Sequence, residues 1–184
     1  MDVTFVTSNP GKLAEVRRIF RPYGIQVGWS QQELPEPQAE RLEDVVRAKL
    51  AAAARAGSGV VVEDSGMFVR ALGGFPGVYS RYVLDTIGLD GVLRLAHGRS
   101  RAVQFRAVAG YRRGRTELYA TGTVQGTLAT RPRGANGLGY DPIFVPTGER
   151  RTFAQMDPAA KDARSHRGRA MRSLARKIRA LEGT

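Results

Sequence analysis

The chain has no cysteine and only two histidines, His97 and His166. The missing thiols exclude disulfide scaffolds, thiolate zinc sites, iron–sulfur clusters and Cys nucleophiles, and two histidines leave little for a His-rich metal centre. A cysteine-free chain is also compatible with a reducing cytosol. No stretch reaches the ~18 apolar residues that a membrane span needs. The segment Met1 to Lys12 has neither a basic leader nor a long apolar run, so no signal peptide is read and a cytoplasmic protein is expected. There is no internal repeat, low-complexity tract or linker. Lysine is scarce too: Lys12, Lys49, Lys161 and Lys177 stand among 29 cationic residues, the rest arginine. Where arginine is the default cation, a retained lysine marks a place that wants a compact, flexible ammonium.

What is present is an ordinary globular composition, 42% hydrophobic and 25% charged over 184 residues. That length fits a single two-lobed domain, residues 1–184, able to bury a core without a staple. The net charge of +12 is the unusual quantity. It calls for a polyanionic partner: nucleic acid, a membrane surface or a phosphorylated substrate.

Along the chain, Asp2 to Thr7 reads as a short buried strand. Asn9 is a good N-cap and Pro10 suits the first helical position, so a helix starts there, with Leu13, Val16, Ile19 and Phe20 as its apolar stripe. A second strand is expected around Ile25 to Trp29. Arg41 to Ala56 reads as a helix ending at Gly57. Val60 to Val62 is a buried strand running into Glu63-Asp64-Ser65-Gly66. Ser80 to Gly98 holds one or two short helices. Ala102 to Tyr111 alternates Val103, Phe105, Ala107, Ala109 and Tyr111 on one face, and Arg112-Arg113-Gly114 turns it into a second strand, Thr116 to Leu128. After a glycine-rich loop, Arg131 to Gly139, His166 to Leu181 forms a helix with Met171, Leu174, Ile178 and Leu181 as its stripe. Alternating helices and strands followed by a hairpin predict an α/β fold around a mixed sheet.

Four constellations carry chemistry. In the first, a strand leads through Thr7-Ser8-Asn9-Pro10-Gly11-Lys12 into a helix. Free N–H groups at a helix start suit a phosphate, and Lys12, set against the helix dipole, makes more sense beside an anion. The plainer alternative is a capped helix. In the second, Glu63-Asp64-Ser65-Gly66 at a strand end fits a Mg²⁺ site or a general base, or else an Asx turn. Strand alternation sends Glu63 and Asp64 to opposite faces. In the third, Leu34-Pro35-Glu36-Pro37 holds Glu36 in an extended loop before Lys49, where it either shares a Mg²⁺ with Asp64 or faces solvent. The fourth gathers Gly137-Leu138-Gly139-Tyr140-Asp141-Pro142-Ile143-Phe144, Lys161 and Ser165-His166-Arg167. Such a set can clamp a planar base and a phosphate. The rival feature is the basic last helix, with Arg169, Arg172, Arg176 and Arg179 spaced along one face. It reads as a solvated face in an arginine-biased chain rather than a nucleic-acid surface, though salt-dependent nucleic-acid binding is the alternative to test.

Taken in order, these blocks resemble the inosine triphosphate pyrophosphatase family. The likeness rests on Thr7 to Lys12, on Glu63 to Gly66 with Ala71 to Arg81, and on Gly139 to Phe144 with Ser165 to Arg167, and spans nearly the whole chain. It implies an elongated mixed β-sheet with two lobes flanked by helices and a nucleotide cleft between them, usually in a homodimer. It also implies hydrolysis of non-standard purine nucleoside triphosphates (ITP, dITP, XTP) to the monophosphate and pyrophosphate, with Mg²⁺. By motif match, Thr7, Ser8, Asn9, Pro10, Gly11 and Lys12 would hold the phosphates. Asp64 would be the catalytic carboxylate, as base or metal ligand, and Glu36 a second metal ligand. Lys49, Ser65, Arg81 and Lys161 would contact the triphosphate or shape its pocket. Leu138, Gly139, Tyr140, Asp141, His166 and Arg167 would line the base site. Leu138 stands where the family usually has Phe, forgoing a stacking contribution of ~0.5–1.5 kcal/mol. The implied partner is a purine nucleotide, with no membrane and with nucleic acid disfavoured.

Overall fold

The computed structural model describes residues 1–53 and 59–182. Strand β1 (Asp2–Val6) lies between two parallel neighbours, β2 (Gln26–Ser30) and β3 (Gly59–Val69). The sheet continues through β5 (Ala102–Arg113), β6 (Thr116–Leu128) and β7 (Phe144–Pro146), with the short β4 (Pro76–Gly77) antiparallel to β3. Since β6 and β7 are also antiparallel, the expected mixed sheet is present. The helices are α1 (Pro10–Phe20), α2 (Leu42–Ala53), α3 (Ser80–Leu95), α4 (Pro158–Arg164) and α5 (His166–Glu182). The end expected for α2, at Ala56 and Gly57, lies outside the described residues.

The chain divides into two compact units. The first comprises residues 1–64, 107–122 and 167–184; the second comprises residues 65–106 and 123–166. Each has its own core. In the first, Leu13, Val16, Ile19 and Phe20 of α1 pack with Ala170, Met171, Leu174, Ala175 and Ile178 of α5, around Val3, Phe5 and Val61 of the sheet. In the second, Phe105, Phe144 and Phe153 form an aromatic cluster, with Phe105 and Phe144 centroids 4.4 Å apart. The alternating face of β5 is buried throughout, its first half (Val103, Phe105) in one core and its second (Ala107, Ala109, Tyr111) in the other.

Local rules account for several elements. The Asn9 side chain accepts from the Lys12 amide at 3.1 Å, and Pro10 fills the first helical position. Gly114, at φ +58, turns β5 into β6. Helix α3 is two helical stretches meeting at Gly88 (φ 65, ψ −170), as the reading of one or two short helices allowed.

Three features differ from the sequence reading. The strand after the valine run does not end at Glu63; β3 continues through Asp64-Ser65-Gly66 to Val69, so the Asx-turn alternative falls away. Gly66 permits this, since a Cβ there would lie 2.2 Å from the Gly77 carbonyl oxygen. Strand β5 also buries part of its second face: Arg106 is exposed, but Val108 is covered and Gly110 lies against Val46 and Leu50 of α2. Finally, Leu181 of the α5 stripe is exposed while its partners Met171, Leu174 and Ile178 are fully buried.

Candidate active site

In the first unit, two carboxylates from one strand meet two lysines from two helices. Successive residues of β3 point to opposite faces, and Glu63 and Asp64 accordingly take different partners. Glu63 Oε2 lies 2.8 Å from Lys12 Nζ, in the first turn of α1. The anion beside Lys12, sought in a bound phosphate, is thus already supplied by a protein carboxylate. Asp64 Oδ1 lies 2.6 Å from Lys49 Nζ, on α2, and Glu36 Oε1 lies 2.7 Å from the same nitrogen. Glu36 is half exposed on its loop, whereas Lys49 and Asp64 are buried.

The electrostatics follow from this placement. Burial pushes Asp64 above the ordinary carboxylate value, and the Lys49 and Lys12 charges offset only part of that rise. Burial alone would pull Lys49 down, but the charge and hydrogen bond of Asp64, supported by Glu36, outweigh it and hold Lys49 above its ordinary value. The result is a carboxylate more basic than usual beside an ammonium that stays charged.

The Thr7 to Lys12 segment bridges β1 and α1. Thr7 Oγ1 accepts from the Asn9 amide at 3.1 Å, Asn9 caps the helix, and Ser8, Pro10 and Gly11 complete the turn. Arg167, at the start of α5, is buried and bonded to two carboxylates, Glu63 Oε1 at 3.1 Å and Glu15 Oε2 at 2.5 Å. A run Glu15–Arg167–Glu63–Lys12 therefore leads from the core of this unit to the helix start. Sequence reasoning missed Glu15. Its signal was an acid on α1 between the core positions Leu13 and Val16, a placement that calls for a buried cation.

In the second unit, Asp141 receives the Leu138 amide at 2.6 Å and the Lys161 ammonium at 2.5 Å on the same oxygen, Oδ2. Gly137 cannot be replaced here: at φ +87, an added Cβ would lie 2.2 Å from that oxygen. Gly139 turns the loop with φ +58. Tyr140 is buried, and its hydroxyl donates to the Ser80 carbonyl at 2.8 Å. The Ser80 hydroxyl in turn accepts from the Met67 amide and donates to the Gly77 carbonyl. His166 is buried with its ring stacked on Phe105, centroids 4.4 Å apart. Arg81 is exposed and pairs with Asp85 one helical turn on, at 3.3 Å. Ser65 is half-buried on β3.

Among the described residues, no group of three or more His, Asp or Glu side chains is arranged to hold a metal ion. The pair Glu36 and Asp64 nevertheless fits Mg²⁺. Their oxygens are hard donors, both already converge on one cationic atom, and Mg²⁺ characteristically takes one or two carboxylates and leaves its other positions to water and phosphate.

Two buried carboxylates facing two lysines, carried on a mixed-sheet α/β fold, form the charged cluster of the first unit. The chain belongs to the Ham1 family, whose model matches residues 3–177. It is 48% identical over 178 residues to a dITP/XTP pyrophosphatase of Thermococcus kodakarensis, covering 95% of this chain and 96% of that protein. It is 42% identical over 176 residues to a dITP/XTP pyrophosphatase of Pyrococcus horikoshii, covering 95% of each. A solved HAM1 protein from Coxiella burnetii superposes with a TM-score of 0.80 at 30% identity, over 96% of this chain and 98% of that one. The family expected from the ordered motifs is therefore the family found.

Proposed function

We propose that the chain hydrolyses non-standard purine nucleoside triphosphates (ITP, dITP, XTP) to the nucleoside monophosphate and pyrophosphate, cleansing the nucleotide pool. The observation that carries this reading is the buried Asp64 held by Lys49, with Lys12 and Glu36 beside it, in a chain matched end to end by dITP/XTP pyrophosphatases.

Asp64 is assigned as the catalytic carboxylate. Its raised basicity suits it to orient a water and accept its proton as the oxygen attacks the α-phosphorus. The bond from that phosphorus to the bridging oxygen breaks, and pyrophosphate leaves with the electron pair. Lys12 and Lys49 place positive charge where negative charge grows on the departing group. Mg²⁺ on Glu36 and Asp64 supplies Lewis-acid polarisation of the phosphates and neutralisation of the leaving group when bound.

The Thr7 to Gly11 segment offers its hydroxyls and helix start to the phosphates, with Ser65, Arg81 and Lys161 assigned to the triphosphate or its surroundings. Leu138, Gly139, Tyr140, Asp141, His166 and Arg167 are assigned to the base. Selection for a 6-keto purine requires donors aimed at O6; an adenine amino group there would leave them unsatisfied. The same reading takes the protein as a cytoplasmic homodimer. Among the described residues, no helix is long and apolar enough to cross a membrane.

The test incubates purified protein with ITP, XTP, ATP and GTP in the presence of Mg²⁺ and measures pyrophosphate. Turnover of ITP or XTP well above ATP and GTP is expected, and Asp64→Asn should abolish it in a folded protein. Equal turnover of all four, or an active Asp64→Asn variant, would refute the assignment.

A further inference from the structure

The Lys49 ammonium lies between Glu36 and Asp64, the two carboxylates that would hold a metal ion. Its nitrogen is 2.7 Å and 2.6 Å from one oxygen of each carboxylate, the two groups proposed as metal ligands. An ammonium held this closely by both carboxylates competes with a divalent cation for their negative charge. Mg²⁺ draws its ligands to ~2.0–2.1 Å, and two like charges within a few ångströms of each other in a buried site repel strongly. Lys49 is also buried, so it cannot surrender both bonds and remain in place unless another anion receives it.

We propose that Lys49 is an internal competitor for the divalent-cation site and couples cation binding to phosphate binding. The inference rests on the pyrophosphatase reading above for the identity of the phosphate. Without nucleotide, the ammonium holds Glu36 and Asp64 together and keeps cation affinity low. When a polyphosphate arrives, Lys49 exchanges its carboxylate partners for phosphate oxygens, and the carboxylates become available. By linkage, phosphate and cation then strengthen each other's binding equally. The device explains why lysine persists here in an arginine-rich chain. A compact ammonium on a four-carbon stem can change partners as one point charge, whereas a guanidinium fork would stay bidentate on a carboxylate.

The test is Mn²⁺ binding to nucleotide-free protein at pH 8, measured by calorimetry on wild type, Lys49→Met and Lys49→Gln, with Lys177→Met as control. Lys177 donates to the Tyr119 carbonyl at 2.6 Å. Removing the competitor should tighten Mn²⁺ binding at least tenfold in both Lys49 variants and leave the control unchanged. Without metal, tripolyphosphate should bind wild type more tightly than either Lys49 variant, and equal binding would overturn the exchange of partners. Equal or weaker Mn²⁺ binding by folded Lys49 variants overturns the proposal.

If the variants do not fold, wild-type protein labelled with ¹⁵N-lysine is read by NMR, since only four ammonium signals exist. The Lys49 signal should shift on adding Mg²⁺ together with tripolyphosphate; an unchanged signal at saturation overturns the proposal. Because none of these readouts is turnover, they are separate from the substrate test. ITP hydrolysis with unaltered Mn²⁺ binding in the variants would reject this inference alone. Tighter binding without ITP hydrolysis would reject the pyrophosphatase reading alone.

Discussion

Replacing Arg167 by methionine should destabilise the protein through two buried carboxylates rather than through lost packing. Arg167, Glu15 and Glu63 are 4%, 4% and 5% exposed, so the guanidinium is the charge that balances two desolvated anions. Methionine has a stem of similar length, so the packing of α5 onto α1 is largely kept. Removing one partner of a buried ion pair costs about 3–5 kcal/mol. Glu63 retains Lys12 at 2.8 Å, so its share of the cost is reduced. For a chain of this size each kcal/mol is worth ~2–4 °C, which places the loss in Tm at about 6–20 °C. The assay is thermal and guanidinium unfolding followed by circular dichroism at pH 7. A double variant, Glu15→Leu with Arg167→Met, removes one of the two buried anions as well and should recover at least half of the lost stability. A single variant within about 1 kcal/mol of wild type, or a double variant less stable than the single, would refute the argument that Arg167 acts as a counter-ion.

Two further outcomes follow from the second unit. Tyr140→Phe removes the hydroxyl that donates to the Ser80 carbonyl and should cost about 1 kcal/mol in denaturant unfolding. Burial, with the nearby Asp85 charge behind it, holds this phenol above its ordinary value. Its contribution to stability is therefore full below ~10, the unfolded value, and is lost as pH rises through the higher folded one. In an alkaline absorbance titration, Tyr140→Phe should reduce the amplitude of the late-ionising phase; a late phase of unchanged amplitude in the variant would contradict it. Gly66→Ala drives a Cβ to 2.2 Å from the Gly77 carbonyl oxygen, so a marked fall in Tm is expected. Gly28→Ala, whose nearest contact would be an ordinary 3.6 Å, should be nearly neutral, and equal Tm values for the two variants would count against the steric argument.

The lysine positions show how far residue-level reading reached. All four lysines stand out because arginine dominates the rest of the chain, and three of them are paired with carboxylates: Lys12 with Glu63, Lys49 with Asp64 and Glu36, and Lys161 with Asp141. Their scarcity marked the positions, but nothing in spacing identified the partners. Lys177, on the basic last helix, bonds the Tyr119 carbonyl at 2.6 Å, a contact between residues 58 positions apart. Asp64 and Glu36 were paired as candidate ligands, yet the atom found between them is a lysine nitrogen from α2.

What the sequence determined by itself is what short-range chemistry controls. Asn9 and Pro10 start α1 because a side-chain cap and a fixed φ act within one turn. Gly114 closes the hairpin, and period-two alternation exposes one buried face of β5. Tertiary structure decided the rest. Only packing shows that β5 is buried on both faces around Val108 and Gly110, because the cover over Gly110 comes from α2. Only packing lets β3 run past Asp64, because the bare edge of Gly66 meets Gly77. Only packing brings Glu15 to Arg167 across 152 residues, because a buried charge requires its opposite within hydrogen-bonding reach and the joining of α1 to α5 supplies it.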